Sequence, residues 1–150
     1  MTNSNNFMKH VKPSKKSRYH QTIVDPKKFS KCKEKEPVIA RSGLEMKFIQ
    51  YLENQSTIKG WVSEAIAIPY FSRLDNKQAN YYPDFIIENV DGHKTIVEVK
   101  PYQQTKKPKP SDSIWLKQQW IKNTDKWKAC LEFAREHDMK FILVTENFFK

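Results

Sequence analysis

Cysteine is scarce. Cys32 and Cys130 are the only two in 150 residues, and they form no Cys-x-x-Cys pair. Neither a disulfide framework nor a structural zinc site is expected. No long apolar run and no signal-like hydrophobic segment occurs, so neither a membrane span nor export is indicated, and a reducing cytoplasm is the expected compartment. Internal repeats are absent. A serine nucleophile elbow is absent too, and His10, His20, His93 and His137 show no spacing that suggests a metal site or a triad. Acidic residues are the last shortage. Seventeen Asp/Glu stand against 27 Lys/Arg, a net charge of +10. That excess implies a polyanionic partner, nucleic acid ahead of an anionic membrane surface.

What is present suffices for one domain with a core: nine Phe, six Tyr and four Trp. The charge is uneven. Residues 1–40 hold ten Lys/Arg against three Asp/Glu, and they lack an apolar period. They read as a basic arm, mobile unless bound, with a solubilising tail as the bland alternative. The folded domain is expected over residues 41–150.

Leu44, Phe48, Tyr51 and Leu52 recur at helical spacing behind Ser42, which predicts a helix over residues 43–54. Residues 61–68 read as a strand ended by Pro69. Residues 71–80 read as a polar loop, 81–87 as a second strand and 94–100 as a third. Asp91-Gly92 between the last two is a hairpin signal. A basic, proline-rich loop over 101–113 follows. Residues 114–137 read as helix, open to a break near Asn123-Thr124, with Trp127, Leu131 and Ala134 on one face. Residues 141–145 read as a short buried strand. The order α-β-β-β-α-β is that of an α/β fold, a mixed β-sheet flanked by helices.

The chemistry concentrates in Pro83-Asp84 and Glu98-Val99-Lys100. Side chains alternate along a strand, so Glu98 and Lys100 share a face with Ile96, about 6.6 Å apart at the usual strand rise. A hairpin register that sets Asp84 beside Glu98 gives a two-carboxylate pocket. Mg²⁺ binds through one or two carboxylates and keeps several waters, so Asp84 and Glu98 suffice for one ion. Glu45, from the first helix, would complete a second site, and Lys100 would touch a scissile phosphate or the attacking water. Each residue has a plainer reading. Ser42-x-x-Glu45 is also a capping box, and Glu-x-Lys is common on solvent-facing strands. Against that, Glu98 and Lys100 sit in an otherwise apolar strand, where an idle charge is costly.

The ordered set Arg41-Ser42-Gly43-Leu44-Glu45, Glu64, Ile68-Pro69-Tyr70, Tyr82-Pro83-Asp84-Phe85, Val97-Glu98-Val99-Lys100 and Leu143-Val144-Thr145-Glu146 resembles the PD-(D/E)XK nucleases, in particular TnsA-like endonucleases. The resemblance spans residues 41–146. It implies a restriction-endonuclease-like core and a catalytic set of Glu45, Asp84, Glu98 and Lys100. Glu45, Asp84 and Glu98 would surround Mg²⁺, with Mn²⁺ as a substitute. Glu64 would be a supporting acid. Gln119 of the second helix is a candidate for positioning water. Arg41, Lys106, Lys107 and Lys109 would grip the DNA backbone, although a solvated loop explains the lysines as well. Tyr102, Trp115 and Trp120 would stack on unpaired bases or simply anchor the core. The chain as a whole also resembles phage nucleases of head assembly. That likeness implies trimming of DNA protruding from packaged heads, portal or neck proteins as partners, and the host cytoplasm or assembling virions as the location. A junction resolvase on the same fold, and a non-catalytic DNA-binding assembly factor, are the alternatives.

Overall fold

A computed structural model describes residues 21–150. Strands β1 (Thr22–Val24) and β2 (Val38–Ala40) pair antiparallel and are followed by helix α1 (Gly43–Asn54). Strands β3 (Ile58–Ser63), β4 (Ile68–Ser72), β5 (Lys77–Tyr81), β6 (Phe85–Asn89) and β7 (Lys94–Val99) come next, then helix α2 (Ile114–Glu136) and strand β8 (Lys140–Val144). The central sheet has the order β3-β6-β7-β8. β3, β6 and β7 run antiparallel, and β8 joins β7 in parallel after the α2 crossover. The mixed sheet and flanking helices are those expected, and α1, β3, β6, β7, α2, β8 follow the anticipated core order.

Several boundaries differ. The segment read as one strand over 61–68 is two. β3 ends at Ser63, and β4 begins at Ile68. Residues 71–80 are not a loop, because β4 and β5 form a separate antiparallel hairpin inserted between β3 and β6. Pro69 lies inside β4 rather than ending it. β4 pairs on one side only, so a missing N–H on an exposed edge costs nothing. The expected strand over 81–87 also divides, with β5 closing at Tyr81 and β6 opening at Phe85. Residues 21–40 do not behave as an arm. Val24, Val38 and Ala40 are buried in the main core, so packing begins well before residue 41. The absent apolar period misled, because three-residue strands are too short to show one. The basic-arm reading of residues 1–20 lies outside the described residues.

Helix α2 is unbroken. Thr124 Oγ1 donates back to the carbonyls of Trp120 (2.8 Å) and Ile121 (3.0 Å), which satisfies the hydroxyl inside the continuous helix. Its buried stripe is Asn123, Trp127, Cys130 and Ala134, while Leu131 is exposed. A 3₁₀ turn, Tyr102–Thr105, opens the segment expected as loop. The Asp91-Gly92 hairpin is as expected, with Gly92 at φ 90°, a conformation that favours glycine.

Two clusters pack the sheet from opposite sides. On the α1 side Phe48, Ile49 and Leu52 meet Trp61, Phe85, Val97, Val99 and Val144. On the α2 side Ile96 meets Cys130 and Ala134, and the β4–β5 hairpin adds Ile68, Tyr70 and Tyr81. Arg73 in the β4–β5 turn ties the hairpin to α2 through Asp125 (2.7 Å) and Thr124 (3.2 Å). Among the described residues no helix is long and apolar enough to cross a membrane.

Candidate active site

The site forms where β6 begins and β7 ends. The β6–β7 register pairs Phe85 with Val97, so its continuation sets Asp84 opposite Glu98. The backbone completes the placement, since Asp84 Oδ2 accepts from the Val99 N–H at 2.7 Å. Fully buried Pro83 fixes the approach to Asp84. Glu98 is only 3% exposed. Its Oε2 lies 3.9 Å from Lys100 Nζ and accepts a long bond, 3.4 Å, from Trp127 Nε1. β8 holds the end of the strand, because the Lys100 N–H donates to the Val144 carbonyl at 2.9 Å.

Glu45 arrives from the first turn of α1. Ser42 caps that helix by accepting from the Glu45 N–H at 3.1 Å. Only half of a capping box forms: the Glu45 carboxylate takes a backbone N–H from Arg41, not from the cap residue. Glu45 is 7% exposed. Together with Asp84, Lys100, Arg41 and Gln104 it lines a cavity of about 350 Å³. Glu45 thus lies in the capped first turn and also lines the cavity.

Burial and mutual repulsion set the electrostatics. Burial raises the Asp84 carboxyl well above the ordinary range, and the charges of Glu98 and Glu45 raise it further. Burial likewise pushes Glu45 up to about 8, the Arg41 N–H opposes this, and Glu64 and Glu98 add to it. Burial, then Glu98, also raises the Tyr81 phenol. Carboxyls crowded in this way are relieved by a cation.

The donors suit a hard divalent ion. All are carboxylate oxygens, and the Asp84–Glu98 pair meets the one- or two-carboxylate need of Mg²⁺. Among the described residues no group of three or more His, Cys, Asp or Glu is arranged to hold a metal. Glu45 thus lines the shared cavity without closing a three-carboxylate cage.

The other sequence candidates are placed as follows. Glu64 has φ 48°, uncommon for a residue with a side chain. Its N–H donates to the Asp84 carbonyl (3.1 Å), and its carboxylate pairs with Arg41 Nε (2.9 Å). Arg41 lines the cavity but is engaged by this pair. Lys106, Lys107 and Lys109 line an adjoining cleft of about 200 Å³ with Trp120 and Leu116, and Gln104 belongs to both hollows. Gln119 lines neither hollow. Sequence reasoning missed Gln104, Tyr81 and Lys126. Only contacts made across the fold mark them out.

This arrangement, on a mixed sheet with helices on both sides, is that of an α/β nuclease. The family model described as the TnsA-like endonuclease N-terminal domain matches residues 55–146. The chain belongs to this family of endonucleases. It is 31% identical over 132 residues to the head completion nuclease of Enterobacteria phage T4, an alignment covering 81% of this chain and 88% of that protein. The family match begins beyond Glu45, whereas the alignment to the T4 protein spans it.

Proposed function

We propose that this chain is a Mg²⁺-dependent DNA endonuclease that trims DNA protruding from packaged phage heads at head completion. One observation carries the chemistry: the register that places Asp84 against Glu98, with the Lys100 ammonium 3.9 Å from Glu98. A divalent ion there would supply activation of water and neutralisation of the leaving oxygen. Asp84 and Glu98 would hold it. The Val99 N–H fixes the Asp84 carboxylate, and Trp127 orients Glu98. Lys100 would contact a non-bridging oxygen of the scissile phosphate and stabilise charge as it develops. Glu45 stands across the cavity, with a carboxyl able to hold or pass a proton near neutral pH. Lys106, Lys107 and Lys109 extend the cationic surface beside the cut for backbone contacts. The head-completion role is supported by the similarity to the T4 protein; portal or neck proteins would be its partners and assembling virions its setting. Mn²⁺ should substitute for Mg²⁺.

The test is cleavage of linear, flapped and four-way DNA by wild type and Asp84→Asn, with Mg²⁺ or EDTA. The variant should lose on the order of 10³-fold in rate, the loss expected when several kcal/mol of charge stabilisation go, while DNA binding stays near wild type. Full activity in EDTA, or in the variant, would sink the mechanism. Paired symmetrical nicks confined to the four-way junction would assign the chain to the resolvases instead.

A further inference from the structure

A second ammonium group stands on the α2 side of the carboxylates. Lys126 adjoins the buried stripe of α2, directly before Trp127, whose indole reaches Glu98. Its Nζ lies 5.6 Å from the centroid of the Tyr81 ring. Tyr81 ends β5 and leads straight into Pro83-Asp84, so the ammonium sits beside the residue that opens the segment carrying the first carboxylate. The surroundings agree. Burial, then the charge of Lys100, depresses Lys126, while Glu98 and Asp84 act in the other direction. All four groups therefore share one electrostatic neighbourhood. Among the described residues Lys126 makes no ion pair within 4.0 Å.

A lysine serving only to cover apolar surface sends its head group outward into water. Lys126 instead keeps its charge partly buried, near another lysine and without a paired carboxylate. That arrangement is costly unless an anion enters between the two cations. Lys100 and Lys126 together suit a group with several anionic oxygens, such as a phosphodiester. We infer that Lys126 is a second phosphate-contacting lysine, which binds a non-bridging oxygen of the DNA phosphate at or next to the scissile bond from the α2 side. The inference rests on the nuclease reading above and names a further contact within the same site.

The experiment is single-turnover cleavage of a duplex with a mapped cut, by wild type, Lys126→Met, Lys126→Gln and Lys126→Arg, with folding checked by circular dichroism. The neutral variants should lose about 10²-fold, the scale for removing one preorganised donor, and Lys126→Arg should recover most of it. A structural role would not move the second readout. Phosphates around the cut are replaced one at a time by uncharged methylphosphonate. One position should impair wild type strongly and leave Lys126→Met unaffected, since that contact is already gone. Equal impairment of both proteins at every position, or Lys126→Met cleaving like wild type, overturns the inference. So does failure of both neutral variants to fold. Wild type that cleaves no DNA in Mg²⁺ overturns the nuclease reading itself, which separates the two failures.

Discussion

On the α1 side of the sheet, Phe48, Trp61 and Phe85 pack with ring centroids 5.3 Å (Phe48–Phe85) and 5.8 Å (Trp61–Phe85) apart, and the Trp61 N–H is satisfied by Glu53 at 2.8 Å. On the α2 side the packing encloses Glu98, a fully buried Asn123 and the Tyr81 hydroxyl. The Asn123 amide has no hydrogen-bond partner among the described residues. One sheet thus carries a satisfied apolar face and an unsatisfied polar one. Packing to full satisfaction gives stability. Polar groups without partners lower it and persist where a ligand or a reaction uses them. The two helices accordingly divide the labour, α1 closing the core and α2 backing the site.

The comparison breaks first at Phe48. Truncation to alanine should cost about 3–5 kcal/mol, the usual loss for a buried phenylalanine, measured by urea unfolding. The surviving folded fraction should cleave DNA at the wild-type rate per molecule. A loss below about 1 kcal/mol would mean that the α1 face is not the stabilising one.

Glu45 tests the opposite behaviour at the junction of the two regions. Its carboxyl titrates near 8 in the folded state against 4.5 ordinarily, so folding favours its protonated form. The stability linked to it is fully present below pH 4.5 and is lost as pH rises to about 8. Glu45→Gln removes that loss. Without metal at pH 8.5 the variant should be more stable than wild type by on the order of 1–3 kcal/mol, with the gap closing towards pH 4. Thermal unfolding across pH in EDTA measures it. A variant less stable at high pH would show that the Arg41 N–H outweighs burial and repulsion.

The same division explains what was legible in the sequence. α1 announced itself through Leu44, Phe48 and Leu52 behind a serine cap, because a helix with one dry face writes its period into the chain. Asp84, Glu98 and Lys100 were legible through strand alternation and a hairpin turn, both of them local. The β4–β5 hairpin was not. Its residues 75–78 are polar, and Pro69 signals a stop that an unpaired edge overrides. β1 and β2 are too short to carry a period, and only the core shows what Val24, Val38 and Ala40 do. Lys126 and Tyr81 were illegible for another reason. Each gains its meaning from a neighbour dozens of residues away, and a single lysine in an amphipathic helix carries no sign of what it faces.

Asn123 gives the smallest and most discriminating effect. It is 1% exposed, and both polar atoms of its amide lack partners among the described residues. Such groups cost about 1–3 kcal/mol each when buried unpaired. Leucine matches asparagine in the number and branching of its side-chain heavy atoms and has no polar atom, so Asn123→Leu should stabilise the protein by about 1 kcal/mol, a rise of roughly 2–4 °C in Tm at this chain length. The sign is what matters, because at Phe48 or Leu52 on the α1 face a replacement removes packed apolar contacts rather than an unpaired polar group. A gain would confirm that the α2 face holds polarity that the fold itself does not use. A loss of 1 kcal/mol or more that Asn123→Ala shares would mean that the amide is bonded in solution, and a loss confined to leucine would mean that the larger side chain overpacks the site.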